Sequence, residues 1–135
     1  MEIYRLDNSY NWILQSAPIP TLHDAFVFAY PGTVAAGALP MKIPVWKSMT
    51  VTNVRLHVGT APSGSSLVLD INKNGSANSM FSSSKPTITT GNTTSYTNVP
   101  NQNYTLVAGD YINIDIDSIG GPAADLTIVV EYTSS

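Results

Sequence analysis

The sequence predicts an all-β protein, a two-sheet antiparallel β-sandwich of jelly-roll type preceded by an irregular N-terminal arm. Three observations lead there. Apolar and polar residues alternate with a period of two in several separate runs, most strictly in Ile112-Asn113-Ile114-Asp115-Ile116-Asp117. No stretch of eleven or more residues carries a 3.6-residue apolar period, so helix is not expected. Turns rich in Gly and Pro divide the runs at short spacing, which is the sandwich pattern. The longer connections favour Greek-key crossings, and hence a jelly roll over a meander.

Residues 1–24 read as the arm. Tyr4, Tyr10, Trp12, Ile13 and Leu14 show no sustained period, and Pro18 and Pro20 exclude both a helix and a central strand. The arm either folds back on its own domain as a flap or docks on a neighbouring subunit or scaffold. Tyr and Trp anchors flanked by polar residues suit the docking role, which makes these five residues the candidate partner-binding set.

Residues 25–135 read as the sandwich. Phe26, Phe28 and Tyr30 alternate up to Pro31-Gly32, and the run from Leu39 to Trp46 contains Pro40 and Pro44, so it belongs at an edge or a bulge. Val54, Leu56 and Val58 face one way while Asn53, Arg55 and His57 face the other. Leu67, Leu69 and Ile71 alternate with Val68, Asp70 and Asn72, and Asn74-Gly75 suits a two-residue hairpin turn. Residues 76–105 are rich in Ser, Thr and Asn and accommodate two or three weak strands. Ala108-Gly109-Asp110 turns into the 112–117 strand. Gly120-Gly121-Pro122 then turns into Leu126, Ile128, Val130 and Tyr132. The inward residues of these runs, Phe26 and Phe28 included, are the expected core.

Chemistry is sparse. Asp70, Asn72, Asn74 and Gly75 match the start of a calcium loop, but position twelve is Phe81 rather than Glu, and Lys73 places a positive charge inside it. A strand-hairpin is the stronger reading. Asp115 and Asp117 lie two apart on a strand, about 6.8 Å along one face. The plain reading is a solvated strand face. An oxygen-rich cation site with Asp110 and Asn113 is a sharper one, and an inverting glycosidase pair the least favoured. His23 and His57 are the only histidines, too few for zinc, and no G-x-S-x-G elbow or phosphate-cradling glycine loop occurs. No catalytic residue, metal or cofactor is therefore expected.

Composition narrows the partners. The chain has 135 residues, no cysteine, a net charge of −3, and 11% charged residues. Its six Lys and Arg are scattered, which argues against nucleic acid. No run approaches the roughly 20 apolar residues of a membrane helix. Charge far below the usual level of about 25% points to a surface partly covered by a partner.

Three segments in order, VRLHVGTAPSGSSLVLDINKNG (54–75), LVAGDYINIDIDSIGG (106–121) and ADLTIVVEY (124–132), resemble a jelly-roll module that recurs in virion proteins of tailed bacteriophages. The likeness covers about residues 26 to 132. It implies a virion component: a capsid decoration (cement) protein bound to the major capsid protein, or alternatively a head-fibre or tail module that binds a receptor or carbohydrate, with Tyr96, Tyr104 and Tyr111 as candidate contacts. It also implies a homo-trimer and no catalytic residues.

Overall fold

The computed structural model describes residues 2–6, 12–16 and 21–134, the first two stretches as backbone alone. Every regular element among them is a strand. In chain order these are β1 (Glu2–Leu6), β2 (Trp12–Ser16), β3 (Leu22–Thr33), β4 (Gly37–Pro44), β5 (Met49–Thr60), β6 (Leu67–Lys73), β7 (Thr87–Ile88), β8 (Thr94–Ser95), β9 (Thr105–Leu106), β10 (Tyr111–Ser118) and β11 (Ala124–Ser134).

One sheet runs β4-β10-β6-β7. The other runs β3-β11-β5, with β8 and β9 both pairing on the far side of β5. The pairing is nested and antiparallel throughout: β3 with β11, β4 with β10, β5 with β8 and β9, β6 with β7. First strand with last, and so on inward, is the jelly-roll connection. The core follows from the period-two runs. Leu67, Leu69, Ile71, Ile112, Ile114 and Ile116 from one sheet pack against Val54, Leu56, Val58, Leu126, Ile128 and Val130 from the other, none more than 2% exposed. Met80, Phe81 and Ile88, from the Ser/Thr/Asn-rich segment, and Leu106, just after it, join this core.

Four features differ from the expectations. The arm is not wholly irregular: β1 and β2 form an antiparallel ribbon, with Tyr4 opposite Leu14 and Leu6 opposite Trp12. Prolines 18 and 20 fall after this ribbon, so they do not oppose it. The sandwich starts at Leu22, because Leu22, His23 and Asp24 pair with Ser134, Thr133 and Tyr132. Phe26 and Phe28 are only half-buried, since β3 lies at the sheet edge and one flank of each ring stays open. Asn74-Gly75 does not close a two-residue turn. The chain returns over four residues, with Lys73 N–H donating to Asn78 O (3.0 Å), because Asn74 is drawn sideways onto β10. There Asn74 N–H donates to Tyr111 O and Asn74 Oδ1 accepts from Tyr111 N–H.

At one end of the sandwich two of the motif segments meet. Ser63 N–H donates to Gly120 O at 3.0 Å, so the GTAPSG turn lies backbone-to-backbone against Gly120-Gly121. Residues 93–106 run along β5 as an interrupted strand. Its gap is bridged by side chains: Asn98 Nδ2 donates to Val54 O, and Asn53 Oδ1 accepts from Asn98 N–H.

Candidate interaction surfaces

Of the candidate partner-binding residues, Tyr4 lies in β1 and Trp12, Ile13 and Leu14 lie in β2, while Tyr10 lies outside the described residues. The backbone puts Arg5 opposite Ile13 and Tyr4 opposite Leu14.

The calcium-loop residues diverge. Asp70 is 4% exposed and accepts from Ser79 Oγ and from Lys85 Nζ (2.9 Å). Asn72 donates to Asp115 Oδ2 at 2.9 Å, and Asn74 donates to Asp110 Oδ1 at 2.8 Å. Lys73 reaches Thr105 O and Asp110 instead of entering a loop. The side chains of Asp70, Asn72 and Asn74, which would have to converge on one ion, therefore serve different partners.

The expected solvated face of Asp115 and Asp117 holds for Asp117, while Asp115 joins a covered polar row. Asp70, Asn72 and Asn113 on the outer side of the β6–β10 pair are buried, Asp115 is half-buried, and Asp117 is exposed. The turn after β6 helps to cover this row: Gly75 N–H donates to Asn113 Oδ1, and Asn113 Nδ2 donates to Ser76 Oγ. Lys85 serves as the internal cation, bridging Asp70 and Asp117 (2.5 Å). The hydrogen bond to Asp117, then that to Asp70, raises the Lys85 pKa above its ordinary value. Asp115 and Asp117 are thus separated in role, one held by an amide and the other by an ammonium. Asp115 Oδ1 and Asn72 Oδ1 are buried without a hydrogen-bond partner. Among the described residues no group of three or more His, Cys, Asp or Glu is placed to hold a metal. His57 is exposed on the outer face of β5, opposite Thr94 and Thr127, and His23 is exposed on β3.

The three tyrosines do not form one platform. Tyr96 (60% exposed) and Tyr104 (39%) flank β5, with their carbonyls bonded to Asn53 Nδ2 and Val51 N–H. Tyr111 sits on the other sheet with Lys42 Nζ 4.9 Å from its ring centroid.

Among the described residues the largest aromatic cluster joins β3 and β11 to the segment that follows β4. Phe26 lies 4.8 Å from Tyr132, 6.4 Å from Phe28, and 5.8 Å from Trp46 in an edge-to-face contact. Tyr132 is buried, and burial, followed by the Asp24 carboxylate, pushes its hydroxyl pKa up. Trp46 is 60% exposed. Sequence reasoning passed over Trp46 because it follows Pro44 at a strand end. The sequence carries no sign that this end lies beside Phe26.

No protein-family model matches the chain, and no curated protein is detectably similar to it in sequence.

Proposed function

We propose that this chain is a structural protein of a bacteriophage virion, most specifically a capsid decoration protein that binds the assembled head and acts without catalysis. The observation that carries the reading is the coincidence of motif and element. The first resembling segment supplies β5, its turn and β6, the second supplies β10, and the third supplies β11. These four strands build the centre of the jelly roll that the resemblance implies. The low charge and the exposed aromatics fit a surface that ends up against other proteins. In this reading Tyr4, Tyr10, Trp12, Ile13 and Leu14 contact the shell, and the sandwich forms a homo-oligomer.

Copy number per virion tests the reading. A number comparable to that of the major capsid protein places the chain on the shell. A handful of copies favours a tail or head-fibre module with receptor or carbohydrate contacts, for which exposed Tyr96 and Tyr104 on one flank of β5 are the supporting observation. A chain absent from purified virions refutes both. On the shell reading, Trp12→Ala with Tyr10→Ala lowers binding to purified capsids. Unchanged binding removes the arm from the interface.

A further inference from the structure

A jelly roll has four sheet edges, and a protein that remains monomeric has to blunt each of them, because unpaired N–H and C=O groups invite another strand. Three of the four edges are blunted here. β4 carries Pro40 and Pro44, which lack an N–H, and its register shifts against β10. β7 has two residues. β8 and β9 have two each, with side-chain bonds from Asn53 and Asn98 filling the gap between them. The fourth edge, β3, is twelve residues long, pairs with β11 along nearly its whole length, and has no partner on its other side among the described residues. Its only titratable side chains before Tyr30 are His23 and Asp24 near its start, and its proline, Pro31, lies near its end. Val27, at the middle, is 64% exposed, and on the opposite face Trp46 packs edge-to-face against Phe26.

We infer that β3 is an assembly edge whose occupant is the β3 strand of a second copy, added antiparallel about a two-fold axis at Val27. The sequence of β3 is compatible with its own copy in this register. With Val27 facing its own copy, Phe26 opposes Phe28, Ala25 opposes Ala29, and Asp24 opposes Tyr30, so no like charges meet along the seven-residue ladder. His23 falls opposite Pro31, where the ladder ends. The two Val27 side chains meet on the outer face. The two Trp46–Phe26 pairs meet on the other side near the axis, where burial of aromatic anchors contributes most to an interface. Prolines in β4 keep the second sheet from extending in the same way, so the contact joins one sheet only. This dimer contact departs from the homo-trimer that the resemblance implies, does not depend on what the virion reading places on the arm, and stands or falls separately.

The chain contains no cysteine, so single-cysteine variants of the full chain give a direct test. Residues facing each other across antiparallel strands have Cα atoms about 4.5 or 5.5 Å apart, within the roughly 4.4–6.8 Å that a disulfide spans. Mild oxidation of Val27→Cys is expected to give a covalent dimer. A mixture of Ala25→Cys and Ala29→Cys is expected to cross-link as a heterodimer. Val129→Cys, one strand inward, is expected to stay uncrosslinked. Sedimentation equilibrium of the unmodified chain at tens of micromolar is expected to show a dimer. Val27→Lys and, separately, Trp46→Ser are expected to shift it toward monomer, with circular dichroism reporting an intact fold. A monomeric or three-fold wild-type chain, or a dimer indifferent to both substitutions, overturns the inference. So does a Val27→Cys variant that fails to cross-link.

Discussion

The contact between the 61–66 turn and Gly120 makes a sharp prediction about stability. A Cβ on Gly120 would fall closer than 3.0 Å to Ser65 N, Ser65 Oγ and Ser65 O, whereas ordinary contact begins at 3.4 Å. Two of those atoms are backbone, so no rotamer change relieves the clash. One loop has to withdraw, and withdrawal breaks the 3.0 Å bond from Ser63 N–H to Gly120 O. Overpacking a close-packed site costs about 1–3 kcal/mol, and losing the hydrogen bond adds about 1 kcal/mol. Gly120→Ala should therefore cost about 2–4 kcal/mol. Unfolding entropy near 2.1 cal/mol/K per residue implies a fall in Tm of about 7–14 °C for a chain of this size. Gly59→Ala is the control. Its Cβ would meet only the Asp125 side chain, at 3.3 Å and 3.4 Å, and the Ala124 carbonyl at 3.7 Å, so its cost should stay near or below about 1 kcal/mol. The assay is a thermal melt of both variants followed by circular dichroism. Equal Tm values for Gly120→Ala and Gly59→Ala would refute the close-approach argument and leave the glycine as a turn residue only.

Lys85→Met should destabilise by about 1–2 kcal/mol in denaturant titration, because it strips the cation from buried Asp70. The value sits below the range for a fully buried pair since Lys85 is one-third exposed. A double-mutant cycle with Asp70→Asn should recover part of that cost, and additive losses would rule out the coupling. The pKa of Lys85 is raised on folding, so its contribution is fully present below the unfolded value of about 10.5 and is lost as pH rises through the folded value. Wild type should accordingly lose Tm faster than Lys85→Met in that alkaline window. The pKa of Asp110 is lowered, first by the Asn74 amide and then by Val107 N–H, so its contribution holds above the unfolded value and disappears as pH falls through the folded one. Asp110→Asn should flatten the acid side of the stability profile, and an unchanged acid slope would show that the bonds carry no net stability. In the core, Ile114→Ala should cost about 2–5 kcal/mol, while Val99→Ala, at a 64% exposed position, should stay within about 0.5 kcal/mol. Comparable midpoints in urea would mean that the core assignment is wrong.

The period-two runs made the central strands legible without any structure. Successive side chains along a strand point to opposite faces, so Leu67, Leu69 and Ile71 form one row toward the core while Val68, Asp70 and Asn72 form the row on the other face. Turn chemistry was legible for the same local reason at Gly109 and Gly121, both of which adopt positive φ. The weak strands of residues 76–105 could be anticipated only in number. Met80, Phe81 and Ile88 are core residues without a pattern around them, and their burial depends on the segments they cover.

The sequence by itself determined the fold class, the inward rows and the failure of the calcium loop, because each rests on contacts between near neighbours or on a missing ligand. Only the tertiary structure decided the rest. It showed that the Asp70 face is covered by the following turn and neutralised by Lys85, and that Gly120 meets Ser65. It also placed Trp46 beside Phe26, and among the four sheet edges it singled out β3 as the long one without a partner among the described residues. All of these join residues far apart in the chain, and the β3–β11 pairing that makes β3 an edge closes the first strand of the sandwich onto the last. No local pattern encodes which distant segment comes to lie alongside, since that choice is made by packing two sheets around one shared core.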